Sequence, residues 1–261
     1  MSSLFITSAS SSFFELMTLA EMRTQYAAMM TDRHSHDMYT IVAFEKADGF
    51  FYSGFKEYEI ATNTLFFIPP GQVHQILNLS SDASGGTLFF TEDYFFKLPP
   101  DLCRVVKYKL FSKVESNQYR QLRVEGNLRI KEDFDRIRFR LSSPLEGRLQ
   151  NDYLGSALSM LLLDVIENCN NFNSNDSAIA NRDMKVYMDF LECVERNFKQ
   201  IHIVDRIVQD MDVSLSTLIR SVKAVSNRTP ASILNERIIQ EAQLLLCRNP
   251  EMRVKEIGFL L

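Results

Sequence analysis

Hydrophobic and polar positions alternate in short runs over residues 37–98. Aromatic and β-branched residues gather at Tyr39 to Phe44, Phe50 to Tyr52, Leu65 to Ile68 and Leu88 to Phe90. Turn signals lie between them: Asp48-Gly49, Ser53-Gly54, Pro69-Pro70-Gly71, and Asp82 to Gly86. Short strands with regular turns predict a sandwich or small barrel. After Pro100 the period lengthens. Ile130, Phe134, Ile137 and Leu141 recur at helical spacing, and Leu154, Leu158, Leu161, Leu162 and Val165 repeat it. Each set is one stripe of an amphipathic helix. Ser143-Pro144 and Gly147 mark a break between the two stripes, so a helix pair is predicted, packed on the barrel or on another subunit. Residues 168–181 are rich in Asn and Ser and lack apolar periodicity, which reads as a linker. From about Arg182 the pattern is helical to the end, and no internal repeat is found. Strands followed by helices give an α+β fold class.

Composition is that of an ordinary globular chain. With 261 residues, 46% hydrophobic and 24% charged, there is room for one large or two small domains. The richest apolar stretch, Leu158 to Ile166, is short and interrupted by Asp164, so no membrane span is expected. No basic segment followed by an apolar core opens the chain, so no signal peptide is expected either. Cys103, Cys169, Cys193 and Cys247 are scattered and form no CxxC pair. That fits a reducing, cytoplasmic setting and argues against a disulfide or zinc framework.

Charge changes the picture more. The net charge of −4 resolves into −5 over residues 1–184 and +1 over residues 185–261. Within residues 214–228, Arg220, Lys223 and Arg228 occur with no acid. A short basic stretch in a neutral region is a candidate phosphate contact.

Three of the four histidines fall in the strand region. On a strand, alternate residues share a face, which groups His34, His36, Met38, Thr40 and Val42, and likewise His74, Ile76 and Asn78. Facing strands of a barrel can bring these sets around one cavity. The segment from Pro69 through Gly71 and His74 to Asn78 resembles the second cupin motif, P-x-G-x-x-H-x-x-x-N, at each fixed position. His34-Ser35-His36 resembles the opening of the first cupin motif. That motif continues with a Glu ligand four or five residues later, where this chain has Thr40 and Ile41. Three readings stay open. The histidines bind a transition metal through imidazole nitrogen, line a pocket for a small organic ligand, or satisfy backbone groups. The candidate ligand-binding residues are His34, His36, Met38, His74 and Ile76, with no metal or cofactor assigned. Arg33 borders the segment and can answer a carboxylate, although a solvated strand-end arginine is the commoner case. His202, at a helix start, carries no assigned chemistry.

The last third carries a second constellation. Val186 to Phe198 is a helical run with Met188, Leu191, Val194 and Phe198 on one side. Val204 to Met211 is a short helix, Asp212-Val213 a turn, and Ser214 a good N-cap for a helix from Leu215 to about Val225. Leu218, Val222 and Val225 bury that helix and leave Ser216, Thr217, Arg220, Ser221 and Lys223 facing out. Asn227 suits a left-handed helix end. A short helix, a tight turn and a basic helix form a helix-turn-helix pattern, whose second helix enters the major groove of double-stranded DNA. The candidate DNA-binding residues are Ser214, Ser216, Thr217, Arg220, Ser221, Lys223 and Arg228. The alternative is an amphipathic helix pair of no special function.

The run from Ser214 to Thr229-Pro230, then Ile233 to Arg237, Glu241-Ala242 and Leu245-Leu246, resembles the DNA-binding region of the arabinose-operon regulator (AraC/XylS) family. Leu218, Lys223, Thr229-Pro230, Arg237 and Ala242 carry the most specific spacing. The family couples a cupin-like ligand-binding and dimerisation domain to such a module. The resemblance therefore implies a cupin-like β-barrel (double-stranded β-helix) over residues 1–98, with dimerisation helices over 99–168. A linker at 169–184 and an all-α helix-turn-helix domain at 185–261 follow. It implies a homodimer, with Leu154, Leu158, Leu161, Leu162 and Val165 as the pairing stripe. Val208 stands where the family has a small Ala, and Asn227 and Gly258 replace the usual Gly and Ala. Val254 to Ile257 resembles the start of the family's second helix-turn-helix, and the sequence stops at Leu261. On that count the apolar stub Ile257, Phe259, Leu260 and Leu261 is expected to fray or misplace itself. DNA binding is expected to be impaired, because phosphate contacts set affinity.

The expected function is a ligand-responsive, sequence-specific transcription regulator, not an enzyme, with an unidentified small-molecule effector. The alternatives are a metal-dependent cupin enzyme, against which the missing carboxylate counts, and a dimerising ligand-binding protein without DNA-binding competence.

Overall fold

The structure is a computed structural model that describes residues 4–6, 13–53, 56–95, 97–111, 119–121, 124–168, 178–226, 228–249 and 251–261. Contacts divide the chain into two units, one of residues 3–112 and 116–172 and one of residues 173–261. Among the described residues, no helix is long and apolar enough to cross a membrane.

The first unit opens with β1 (Leu4–Ile6), β2 (Phe14–Thr18), α1 (Leu19–Gln25) and α2 (Ala27–Thr31). The sequence pattern missed all four. A capping box starts α1: the Thr18 hydroxyl accepts from the Glu21 N–H at 3.0 Å, and the Glu21 carboxylate accepts from the Thr18 N–H at 2.6 Å. Then come β3 (His34–His36), β4 (Tyr39–Lys46), β5 (Gly49–Ser53), β6 (Lys56–Ile60), β7 (Thr64–Ile68), β8 (His74–Leu77) and β9 (Ser84–Phe90). The chain continues through α3 (Glu92–Phe95), α4 (Pro100–Lys109), β10 (Tyr119–Gln121), α5 (Val124–Ser142) and α6 (Arg148–Asn168).

Two five-stranded sheets form, ordered β1-β3-β8-β5-β6 and β10-β7-β4-β9-β2. Alternation along β4 explains the layering. Val42 and Phe44 join a buried cluster with Phe51, Ile60, Ile76 and Met38. Tyr39, Ile41 and Ala43, of opposite parity, join a second cluster with Phe134, Ile137, Leu158 and Leu161. The β4 sheet is thus covered on both faces, by the other sheet and by helices, which is why β4 and β7 read as continuous apolar runs.

This arrangement corrects the predicted pairing stripe. Leu154, Leu158, Leu161, Leu162 and Val165 are all buried in the core of their own chain. A hydrophobic stripe demands a cover, and here the sheet supplies it. Among the described residues, the large hydrophobic side chains that the helix pair leaves exposed are Leu128 and Phe139 on α5, and Leu149, Met160 and Leu163 on α6.

A carboxyl group is buried beside that core. Asp133 is buried, and its Oδ1 accepts from Arg136 at 2.6 Å. Its Oδ2 meets no donor. Burial, and then the facing Asp164 carboxyl, push its pKa up to about 6 against the opposing pull of Arg136. The folded state therefore holds a proton that the unfolded chain releases near pH 4. This contribution is complete below pH 4 and is lost as pH rises through about 6, at most about 3 kcal/mol. Asp133→Asn is expected to raise stability at pH 7.5 and to remove this slope. Urea titrations at pH 4.5 and 7.5 check it, and an unchanged pH dependence in the variant would count against it.

The second unit is helical: α7 (Ala178–Asn197), α8 (Val204–Gln209), α9 (Leu215–Ser226), α10 (Pro230–Arg248) and α11 (Val254–Leu260). The linker expected at 169–184 is helical from Ala178, where alanines replace the Asn/Ser run; residues 169–177 lie outside the described residues, as does Asn227. Thr229 caps α10 by accepting from the Ser232 N–H at 3.2 Å, with Pro230 at the first helical position. The expected stub is a helical turn whose Ile257 and Leu261 are buried; Phe259 and Leu260 remain exposed.

Candidate functional site

The three histidines of the first unit come together. His34 and His74 are direct register partners on the adjacent antiparallel strands β3 and β8. His36 follows two residues on along β3, so it presents the same face. The cluster therefore arises within one sheet and not from facing strands. The turn after Pro69 is fastened to β3 by the Gly71 N–H, which donates to the His36 carbonyl at 2.7 Å. Ring centroids lie 4.0 Å apart for His34 and His74, 4.9 Å for His36 and His74, and 6.1 Å for His34 and His36.

All three rings are buried, with relative exposures of 5%, 1% and 6% for His34, His36 and His74. In each, Nδ1 bonds a backbone carbonyl: that of Asp32 at 3.0 Å, of Met38 at 2.9 Å and of Gln72 at 3.0 Å, respectively. A carbonyl only accepts, so each Nδ1 carries the proton and each Nε2 is left as a lone pair. The Nε2 of His36 receives the Thr40 hydroxyl at 3.2 Å. Burial is the main cause that lowers all three pKa values. His36, also beside His34, falls to about 4, and His74 lies well below the ordinary imidazole value. At neutral pH the cluster is three uncharged imidazoles.

Its walls are aromatic. Phe89 meets His36 edge-on at 5.9 Å, and Phe51 stacks on His74 at 6.2 Å. Met38 and Ile76 are buried in the same inter-sheet core, with Met17, Met22 and Met30. Asn78 departs from its expected place: β8 ends at Leu77, and Asn78 has φ +53°, so it turns the chain instead of extending the histidine face. Arg33 is exposed. Thr40 shares the face predicted for the histidines but is not among the candidate ligand residues; the fold sets its hydroxyl on His36.

In the second unit, α8, a turn and α9 follow in order. Ser214 caps α9, its Oγ accepting from the Thr217 N–H at 3.2 Å and lying 2.9 Å from both the Ser216 and Thr217 hydroxyls. Leu218 and Val222 are fully buried, while Ser216, Arg220 and Lys223 are exposed. Ser221 corrects the sequence expectation. It is fully buried, and its hydroxyl donates to the Asp183 carboxylate on α7 at 2.6 Å. It fixes α9 onto α7 and faces no solvent. Asp183 also lies 3.6 Å from the Arg220 guanidinium, and Arg228 pairs with Glu236 on α10. Two cations of the acid-free segment thus have acids supplied by other helices. Ile219, exposed beside Ser216, Arg220 and Lys223, adds an apolar side chain to that face.

Residues 22–83 match the family model of the AraC-like ligand binding domain. No curated protein sequence matches the chain. Among solved structures, the apo form of a lysine-to-alanine variant of ToxT from Vibrio cholerae strain SCE256 shares 14% identity and a TM-score of 0.40, over 97% of this chain and 89% of that one. ToxT from Vibrio cholerae O395 bound to (E)-4-(8-methylnaphthalen-1-yl)but-3-enoic acid shares 13% identity and a TM-score of 0.41, over 96% and 89%. The AraC-like transcriptional activator CuxR shares 12% identity and a TM-score of 0.34, over 78% and 67%.

Proposed function

We propose that this chain is a ligand-responsive transcription regulator, in which a cupin-like barrel at the N-terminus senses a small effector and a C-terminal helix-turn-helix reads double-stranded DNA. The observation that carries the reading is the AraC-like ligand-binding match at residues 22–83 in the same chain as a capped basic helix, α9, preceded by a short helix and a tight turn. In this reading Ser216, Ile219, Arg220 and Lys223 enter the major groove. Arg220 contacts a guanine edge or a phosphate, and Ile219 suits a thymine methyl. Ser214 positions the helix N-terminus toward the backbone, while Ser221 and Arg228 act inside the protein. A homodimer would pair through the exposed Leu128, Phe139, Met160 and Leu163. The effector acts by binding one arrangement of the chain more tightly than another.

The test is enrichment of random-sequence duplexes on the full chain, followed by anisotropy with the enriched sequence. One sequence motif is expected to emerge. Arg220→Ala is expected to weaken binding by about 10-fold, which is about 1.4 kcal/mol, with helicity unchanged. Arg228→Ala is expected to leave the base preference intact. Enrichment of no sequence above the random pool would sink the reading.

A further inference from the structure

We infer that Asp183 on α7 is the positioning residue for Arg220, holding its guanidinium ready for bidentate readout of a guanine in DNA and so setting base specificity at some cost in affinity. The inference rests on the DNA-reading proposal above and adds a residue that lies outside α8, α9 and the turn between them.

A shared oxygen is the first observation. Oδ1 of Asp183 accepts from the Ser221 hydroxyl at 2.6 Å and forms an ion pair with Nη2 of Arg220 at 3.6 Å. Ser221 is fully buried and Asp183 nearly so, at 0% and 9% exposure. The carboxylate is therefore fixed inside the contact of α7 with α9 before it meets the arginine. Successive residues of a helix point roughly 100° apart. Arg220 thus leaves α9 at the edge of its buried face, beside a charge that is already held in place.

The second observation is what the pair leaves free. The Arg220 side chain stays 66% exposed, against 28% for Arg228 in its pair with Glu236. Asp183 touches one nitrogen of the Arg220 fork without drawing the fork into the protein. Bidentate recognition of guanine needs two N–H donors aimed together at O6 and N7. An unrestrained, exposed arginine loses rotamer freedom when it aims them, and a partner at its back reduces that loss before DNA arrives. The third observation is the sign of the charge. A carboxylate on the face that carries Arg220 and Lys223 opposes the approach of any phosphate backbone. That cost is sequence-independent, whereas the ordering of Arg220 favours only duplexes that present a guanine to it. Asp183 therefore exchanges general affinity for discrimination.

The experiment compares the full chain with Asp183→Asn, which keeps an oxygen for Ser221 and removes the charge; circular dichroism confirms its fold. Anisotropy is read on three duplexes. One is the sequence enriched on the native chain. In the second, the guanine at which Arg220→Ala loses discrimination is replaced by adenine. The third is unrelated. Asp183→Asn is expected to bind the unrelated duplex at least as tightly as the native chain does, and to lose about 10-fold in preference for guanine over adenine. In an Arg220→Ala background, Asp183→Asn is expected to leave that preference unchanged. Side-chain NMR relaxation of the DNA-free chain is the independent readout. The Nε–H of Arg220 is expected to be more ordered than that of the exposed Arg182, and Asp183→Asn to remove the difference. Three results would overturn the inference: full discrimination in Asp183→Asn, an equal change in affinity for all three duplexes, or a native Arg220 as mobile as Arg182. If no sequence is enriched, the DNA reading falls, and the relaxation result alone decides whether Asp183 positions Arg220.

Discussion

Arg237→Ala is expected to destabilise the C-terminal unit by about 3–5 kcal/mol, the cost of removing one partner from a buried ionic network. The guanidinium is 4% exposed. It donates from Nε to Glu195 on α7 at 2.7 Å and from Nη1 to Glu241, one turn along α10, at 3.0 Å. Its plane also lies 3.8 Å from the centre of the Phe198 ring. Glu241 is itself nearly buried and takes Lys199 at 3.1 Å. Burial alone would raise its pKa, but the Arg237 charge and the Lys199 and Arg237 hydrogen bonds outweigh it and hold the carboxyl below its ordinary value. Without Arg237, Glu241 keeps its burial and loses its main counter-charge. Arg237→Lys keeps a charge but lacks the fork and the stacking plane, so an intermediate loss is expected. Urea unfolding by far-UV circular dichroism measures both, with the two units fitted separately. A loss under about 1 kcal/mol, the range of surface ion pairs, would show the network to be dispensable. Arg220→Ala, on an exposed side chain, is the control for stability.

The same residue shows how far the sequence reached. Arg237 stood out through a family resemblance centred on DNA binding, yet its contacts here join α10 to α7. Period and composition identify elements well. The runs at Tyr39–Phe44, Leu65–Ile68 and Leu88–Phe90 lie in β4, β7 and β9, and the stripes at 130–141 and 154–165 lie in α5 and α6. They do not say what covers an apolar face. Leu154 to Val165 lies under a sheet of the same chain because β4 has apolar residues of both parities. Tertiary polar partners are equally invisible. Ser221 sits on a helix whose neighbours Arg220 and Lys223 are exposed, and its buried acceptor, Asp183, lies 38 residues earlier in a stretch that looked like linker. For the histidines, the spacing of His34 and His36 gave a shared face. The pairing of His34 with His74 is a matter of strand register, which local pattern leaves undetermined.

Gly85→Ala is expected to unfold the first unit's central ladder, with a loss of about 4 kcal/mol or more, a size reserved for severe strain in a core. Gly85 has φ +144°, a conformation that side chains rarely adopt, and a Cβ built there would lie 1.9 Å from the Ala43 carbonyl oxygen. Backbone, unlike a flexible side-chain tip, cannot step aside cheaply. Gly85 pairs with Phe44, next to the register shift between Phe44 and Lys46. Relieving the clash means parting these two strands, and β4 is the strand on which both cores are built. The histidine site would be lost with it. Phe89, the edge-on neighbour of His36, is on β9, and Thr40, its hydrogen-bond partner, is on β4. Gly147→Ala separates strain from clash. That residue also has positive φ, +55°, but a Cβ there meets nothing within 4 Å, so a cost of only about 1–2 kcal/mol is expected. Thermal unfolding followed by near-UV circular dichroism distinguishes the two. A Gly85→Ala protein within about 1 kcal/mol of the native chain would mean that β4 and β9 separate at little cost, and the clash would then not be what requires glycine there.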